Sequence, residues 1–214
     1  MSVTAREKIL QNIRKALSTP VPLPFPGQEP NAEVYPKPED DLSVLFAREF
    51  TRLLGRFAYC GDVADLAQQL TLLIRDQGWK EVYCADADLR RVLQASGNFS
   101  FSSGSLADCD VSFTTCEALV ARTGTMVLSA ALPEGRTSSV YAPVHVCIAR
   151  TSQLVWDLSE ALQLMQQRYP QGLPSLVSFA TGPSRTADIE KTLVVGVHGP
   201  KEVYCFLVED QPAT

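Results

Sequence analysis

The residues best suited to chemistry lie in two segments near the end of the chain, GPSRTADIE (182–190) and VGVHGP (195–200). His198 is one of only two histidines. An imidazole beside a glycine turn is well placed for proton transfer or hydrogen bonding, so His198 is the candidate catalytic residue. If Thr186 caps a helical turn, the free N–H groups there attract an anion. The predicted ligand-binding residues of these segments are Gly182, Ser184, Arg185, Thr186, Asp188, Glu190, His198 and Gly199.

The expected position of these segments is the carboxyl edge of a sheet. The apolar run 193–197 predicts a buried strand that ends at His198, and Gly182 ends another strand. Ligands of open α/β sheets bind outside the carboxyl ends of the strands. Asp188 and Glu190 are two residues apart, so a helix would point them roughly 200° apart, and their spacing does not indicate a pair of acid/base carboxylates. A structural elbow, in which Arg185 pairs with these carboxylates, remains an equal alternative.

Two earlier segments also have residue types that bind anions. Thr123-Gly124-Thr125 precedes a strand and offers backbone N–H groups and hydroxyls to a phosphate or carboxylate. A plain turn in which Gly124 takes a positive φ is the favoured interpretation of this segment. Arg136, in the polar loop 132–143, is equally consistent with a bidentate contact to an anion and with a solvated surface arginine. His145 opens an apolar strand and is interpreted as structural.

Composition limits the classes of function. The chain has 214 residues and a net charge of −5, which argues against general affinity for nucleic acid. Its six cysteines never form a CxxC pair, and three lie in strand-like apolar runs, so they are predicted to be small core residues rather than zinc or iron–sulfur ligands. No cofactor and no metal are predicted. The N-terminus lacks the apolar core of a signal peptide and no segment has the ~20 apolar residues of a membrane span, so a cytoplasmic protein is expected.

The order of elements predicts an α/β fold. Residues 1–40 comprise an amphipathic helix, with a Thr4–Glu7 capping box, and a proline-rich arm. The helix docks on its own domain, on a second subunit of a homo-oligomer or on a partner. Residues 41–214 alternate helices, begun by Asp41, Asp62 and Asp86, with apolar strands, which favours a mixed, mainly parallel sheet flanked by helices. Residues 116–121 are predicted to form a short helix, and closely spaced strands at 125–150 and 193–208 to pair antiparallel.

Taken together, the Thr-Gly-Thr turn, the Arg136 loop leading to Pro143-Val-His145, and GPSRTADIE…VGVHGP resemble the LUD-domain family, within it the lactate-utilisation protein C type. The resemblance covers about residues 47–209. It implies a fold similar to the NagB/RpiA/CoA-transferase-like group. It also implies a part in the oxidation of L-lactate to pyruvate, together with partner proteins that carry iron–sulfur clusters. Arg122 departs from the pattern, in which an acidic residue is expected before Thr-Gly-Thr.

Two hypotheses follow. The first is a non-redox binding or assembly subunit of a lactate-oxidising system, with iron–sulfur partner proteins and a small carboxylate as ligand. The second is a stand-alone enzyme that acts on an anionic metabolite such as a sugar phosphate, acyl-CoA or nucleotide through Arg136, Arg185 and His198. The second depends on the analogy of fold alone.

Overall fold

The computed structural model describes residues 4–18, 35–37, 39–97, 99–102, 104–133, 135–186 and 194–210. The chain divides into two units, residues 1–37 and residues 38–214. The predicted boundary at residue 40 stays a prediction. In the first unit, helix α1 (Ala5–Leu17) begins at Thr4, whose side chain and that of Glu7 form the predicted capping box. Every described side chain of α1 is exposed, so burial in its own unit does not stabilise this helix.

The second unit contains the remaining helices and all the strands. Its helices are α2 (Leu42–Arg52), α3 (Val63–Gln77), α4 (Ala87–Ser96), α5 (Ser138–Tyr141) and α6 (Leu158–Arg168). Its strands are β1 (Arg56–Cys60), β2 (Val82–Cys84), β3 (Val111–Thr114), β4 (Ala118–Val120), β5 (Thr125–Ser129), β6 (Val144–Arg150), β7 (Leu154–Val155), β8 (Val177–Ala180), β9 (Arg185–Thr186), β10 (Val194–Val195) and β11 (Glu202–Val208). Asp41, Asp62 and Asp86 cap α2, α3 and α4 as predicted, because each side chain accepts from a backbone N–H of the first turn.

Five strands form a wholly parallel central sheet in the order β1-β11-β6-β3-β2. A second sheet has the order β7-β4-β5-β8, and its β4–β5 and β5–β8 pairs are antiparallel. Helices α3 and α4 pack on one face of the central sheet, while α2 and the second sheet pack on the other. Helix α6 covers the outer face of the second sheet. The predicted α/β class with a mainly parallel central sheet flanked by helices is confirmed.

The antiparallel pairs are not those that the sequence predicts. Strands β5 and β6 belong to different sheets, and β11 pairs in parallel with β1 and β6. The predicted helix at 116–121 is also wrong, since Ala118–Val120 is strand β4. Its side chains are fully buried, and they contribute to the packing of the second sheet against α2 and against α6. Tertiary burial on both faces outweighs the weak local preference of a three-residue segment.

The cysteines behave as the sequence predicts. All six thiols are free and buried, at positions 60, 84, 109, 116, 147 and 205. In the part of the chain that the structure describes, no helix has the length and apolar character needed to cross a bilayer.

Candidate functional site

His198 lies near the amino ends of the central strands, whereas the sequence predicts that it lies at their carboxyl ends. Val194 and Val195 of the apolar run before it form strand β10, which among the described residues pairs with β9 alone, in a two-stranded antiparallel sheet. Val194 and Val195 are 37% and 39% exposed, so the prediction of a buried strand is wrong. His198 is exposed and precedes β11, which places it near the amino end of a central strand. An apolar run does not by itself reveal which layer will cover it.

Backbone hydrogen bonds bring the two predicted segments together. Ser184 N–H donates to the carbonyl of Pro200 at 3.0 Å, and Gly196 N–H donates to the carbonyl of Ser184 at 2.9 Å. A Cβ atom on Gly199 would lie only 2.9 Å from the Cβ of Ser184, so this approach depends on glycine. Gly182 has a φ of +86° and packs against the carbonyl of Leu53 in the same way. Gly199 therefore permits a close crossing of the two segments, and Gly182 permits a close approach of its segment to the backbone of Leu53.

This crossing forms one wall of a pocket of about 220 Å³ between the two sheets, which we call the serine–histidine pocket. Four predicted site residues line it: Gly182, Ser184, His198 and Gly199. The other walls come from the apolar side chains of β5, from β8 and from α5. The polar side chains that line the pocket are those of Ser139, Ser178, Ser184, His145 and His198. None of the described residues that line it is a lysine, arginine, aspartate or glutamate.

His145 is buried and hydrogen-bonded, which agrees with its interpretation as a structural residue, and it also lines this pocket. It is 1% exposed, and its Nε2 lies 2.7 Å from the hydroxyl oxygen of Thr114 on β3. Burial lowers the pKa of His145, which favours a neutral imidazole. The ring also lines the serine–histidine pocket. A sequence signal existed, because Ser112 and Thr114 on β3 alternate with apolar residues just as His145 does on β6.

The Thr-Gly-Thr turn has a structural role in this arrangement. The hydroxyl of Thr123 lies 2.7 Å from that of Thr125, which in turn lies 2.9 Å from that of Thr181. Gly124 takes a φ of +60°, and a Cβ atom there would lie 2.4 Å from the backbone nitrogen of Phe50 on α2. The turn thus joins β5 to the end of β8 and packs against α2. This agrees with the interpretation of the segment as a plain turn in which Gly124 takes a positive φ.

The basic residue at position 122, where an acidic residue is expected, is explained by its ion pair with Asp157. Its Nε and Nη2 atoms donate to one carboxylate oxygen of Asp157, at 3.0 and 2.7 Å, and both side chains are mostly buried. Asp157 also caps α6 through the N–H of Leu158. An acidic residue at position 122 would repel this capping carboxylate, so the reversed charge fits the local structure.

The remaining predicted residues lie elsewhere or outside the described part of the chain. Arg136 is exposed and donates to the hydroxyl of Ser175 at 2.6 Å. Arg185 and Thr186 form the short strand β9, with Arg185 exposed. Asp188 and Glu190 fall outside the described residues, so the proposed salt-bridged elbow stays a prediction.

Comparison with known proteins agrees with this architecture. A family model for the LUD domain matches residues 103–208. Lactate utilization protein C of Bacillus licheniformis is 34% identical over 119 residues, which cover 55% of this chain and 49% of that protein, so the chain spans about half the length of this relative. Lactate utilization protein C of an Exiguobacterium species is 32% identical over 227 residues, covering 98% of each chain.

A crystal structure of a DUF162 family protein from Deinococcus radiodurans has a similar fold. It matches with a TM-score of 0.59 and 17% identity, over 81% of this chain and 99% of that chain. At this identity the likeness concerns the fold alone. The match along the whole length of the Exiguobacterium relative, together with the LUD-domain match, shows that the chain belongs to the LUD-domain family, in the group that includes the lactate utilization protein C proteins.

Proposed function

We propose that the protein acts in lactate utilisation, as a non-redox subunit that works with iron–sulfur partner proteins in the oxidation of L-lactate to pyruvate. The observation that carries this proposal is the 32% identity to a lactate utilization protein C over 98% of both chains. A match of that length includes the N-terminal helix, the central sheet and the serine–histidine pocket.

The chemistry of the cysteines supports a non-redox role. All six are buried. In the core, Cys147 hydrogen-bonds with the thiols of Cys116 and Cys205. The hydrogen bond with Cys147 raises the pKa of Cys116 and burial raises the pKa of Cys205, whereas the hydrogen bonds with Cys116 and Cys205 lower the pKa of Cys147. Because all three thiols are buried in the core, neither a substrate nor an external metal ion can reach them in the folded protein. We therefore assign the electron carriers to the partner proteins.

Within this function, the serine–histidine pocket is the proposed site for a small carboxylate. Its volume of about 220 Å³ is below the usual range of about 300–1,000 Å³ for drug-sized ligands. Serine hydroxyls can donate to a carboxylate, and a neutral imidazole can accept from a ligand hydroxyl. Ser139, Ser184 and His145, which line one pocket, carry these groups. A 2-hydroxy acid carries both complementary groups.

Growth on L-lactate tests the proposed role in lactate utilisation. Deleting the gene in its native host should abolish growth on L-lactate as sole carbon source, and the wild-type chain should restore it. Tagged wild-type chain should co-purify with iron–sulfur proteins encoded for lactate oxidation, identified by mass spectrometry and by their absorbance. Normal growth of the deletion strain would refute the role in lactate utilisation.

Calorimetric titration tests the pocket separately. Ser139→Ala and Ser184→Ala each delete one hydroxyl and should weaken L-lactate binding about tenfold, since an unpaired polar group at a ligand costs about 1–3 kcal/mol. Arg91→Ala, on the exposed face of α4, is the control and should bind as the wild type does. Equal affinity for L-lactate in all three variants would show that L-lactate does not bind in this pocket. That result would leave the growth test of the role in lactate utilisation unaffected.

A further inference from the structure

A second cavity lies at the other end of the central sheet, where the ligands of parallel sheets usually bind. It has a volume of about 350 Å³ and is enclosed by the carboxyl ends of β6 and β11 and by the first turns of α3 and α4. We call it the carboxyl-end cavity. Its walls are largely apolar: Val63 and Leu66 come from α3, Leu89 and Val92 from α4, and Ile148 and Val208 from the sheet. This size and lining suit the flat, apolar part of a small molecule.

Asp86 provides a hydrogen-bond acceptor on one side of the cavity. Its Oδ1 caps α4 by accepting from the N–H groups of Asp88 at 2.8 Å and Leu89 at 3.0 Å. Within the described residues, its Oδ2 accepts no hydrogen bond. Because Oδ1 already satisfies the helix N-terminus, that terminus does not attract a free anion. A carboxylate oxygen instead selects a ligand that donates, such as a sugar with neighbouring hydroxyls.

Arg150 provides donors on the other side. It ends β6, and β3 separates it from the end of β2 that precedes Asp86. The two strands are two spacings, about 10 Å, apart across the sheet, and both Asp86 and Arg150 line the cavity. The Arg150 Nη1 is 3.4 Å from Asp210, a long contact, and 52% of the side chain is exposed. Asp210 is bound more closely by the N–H of Ser152, at 2.7 Å. The guanidinium therefore keeps donors for an anionic group of a ligand.

Gln153, which also lines the cavity, is already satisfied. Its Nε2 donates to the carbonyl of Cys116 at 2.5 Å, and its Oε1 accepts from the N–H of Arg150 at 2.7 Å. The amide thus fixes the turn after β6 and holds the backbone of Arg150 in place. Asp88, which also lines the cavity, pairs with Arg91 at 2.9 Å. Asp86 and Arg150 are the two charged groups on which the proposal depends.

We propose that the carboxyl-end cavity binds a nucleotide with a single phosphate. The base packs between the aliphatic side chains of α3 and α4, the ribose hydroxyls donate to Asp86, and the phosphate accepts from Arg150. A single guanidinium beside Asp210, in a cavity that also has the carboxylates of Asp86 and Asp88, favours one phosphate over a diphosphate or triphosphate. This site goes beyond the proposed role in lactate utilisation and uses none of the residues of the serine–histidine pocket.

Calorimetric titration of the full chain with AMP, adenosine and inorganic phosphate tests the three parts of the ligand. AMP should bind, adenosine about tenfold more weakly, and phosphate alone not detectably. Arg150→Gln should weaken AMP to the level of adenosine and leave adenosine unchanged. Val92→Trp should fill the space between the helices and abolish binding of both.

The contact with the ribose has a matched control. Asp86→Asn keeps a good helix cap but loses the charged acceptor, so AMP should bind about tenfold more weakly. Asp62→Asn makes the same change at the start of α3, where the side chain caps the helix but does not line the cavity, and AMP affinity should not change. With 2′,3′-dideoxy-AMP, Asp86→Asn should cause no further loss. The proposal is overturned if millimolar AMP does not bind the wild type, or if AMP binds Val92→Trp and Asp86→Asn as it binds the wild type.

Discussion

The ion pair between Glu117 and Arg168 joins α6 to the second sheet, and it can be tested by removing one charge. Glu117 precedes β4 with 0% of its side chain exposed, whereas 44% of the Arg168 side chain is exposed. The same carboxylate accepts from the hydroxyls of Ser129 at 2.5 Å and Tyr169 at 2.7 Å. Arg168→Met would leave a buried carboxylate with two neutral donors and no counter-charge.

The expected cost follows from this geometry. Removing one partner of a buried ion pair costs about 3–5 kcal/mol, because the remaining charge is left without compensation. Glu117 retains two hydroxyl donors, so we expect the lower end, about 3 kcal/mol. For a domain of this size, such a loss lowers Tm by about 6–12 °C.

Urea denaturation followed by circular dichroism measures the free energy of unfolding. The control is Arg91→Met, which removes an ion pair with Asp88 whose side chains are 78% and 85% exposed, and which should cost at most about 1 kcal/mol. Adding Glu117→Gln to Arg168→Met removes the uncompensated charge and keeps an acceptor oxygen for the two hydroxyls. The double variant should recover at least about 1.5 kcal/mol.

Two results would refute this reasoning. One is a cost for Arg168→Met no larger than for Arg91→Met. The other is a double variant less stable than Arg168→Met alone. Either would mean that the Glu117 carboxylate reaches water in the folded protein.

Three further predictions concern single groups. Gly124→Ala should lower the free energy of unfolding by at least about 3 kcal/mol, because it adds strain at φ +60° to a contact 2.4 Å from the backbone of Phe50. The control Gly135→Ala has a similar φ of +64° but open space around the new Cβ, so it should lower the free energy of unfolding by only about 1–2 kcal/mol. Equal losses of stability in urea denaturation would contradict the close approach of Gly124 to α2. The N–H groups of Glu81 and Lys80 lower the pKa of Asp110, so its carboxylate contributes stability that is present above its unfolded pKa of about 3.9 and is lost as pH falls through the folded pKa. The stability advantage of the wild type over Asp110→Asn should therefore shrink between pH 5 and pH 3, and an advantage independent of pH would contradict this. Burial, with nearby carboxylates, raises the pKa of Cys60 to about 12, so its thiol should react with a disulfide reagent at pH 8 only after the protein unfolds. Rapid labelling of Cys60 in the native protein, located by peptide mapping, would contradict this prediction.

Local rules account for what the sequence predicted well. Asp41, Asp62 and Asp86 begin helices because an aspartate side chain can accept from the N–H groups of the next turn without help from the rest of the fold. Gly78 ends α3 with a φ of +68°, which a glycine adopts at little cost. The LUD-domain resemblance was likewise present in the motifs themselves, and the match along the whole chain confirms it.

Other features depended on which layer covers a segment. Residues 118–120 and 194–195 are both short apolar runs, yet the first is a buried strand between two cores and the second an exposed strand of a two-stranded sheet. Local composition does not distinguish them, because burial depends on elements far away in sequence. The same limit applies to His198, whose neighbours in sequence suggested the carboxyl edge of the sheet.

The sequence by itself determined the helix starts, the alternation of helices and strands, the reduced core cysteines and the family. Only the tertiary structure decided that His145, rather than His198, is the buried imidazole of the serine–histidine pocket, and that a separate cavity lies at the carboxyl ends of the strands. The physical reason is the range of the interactions. Caps and turns are satisfied within a few residues, whereas a pocket forms where strands and helices distant in sequence meet and leave space between their side chains.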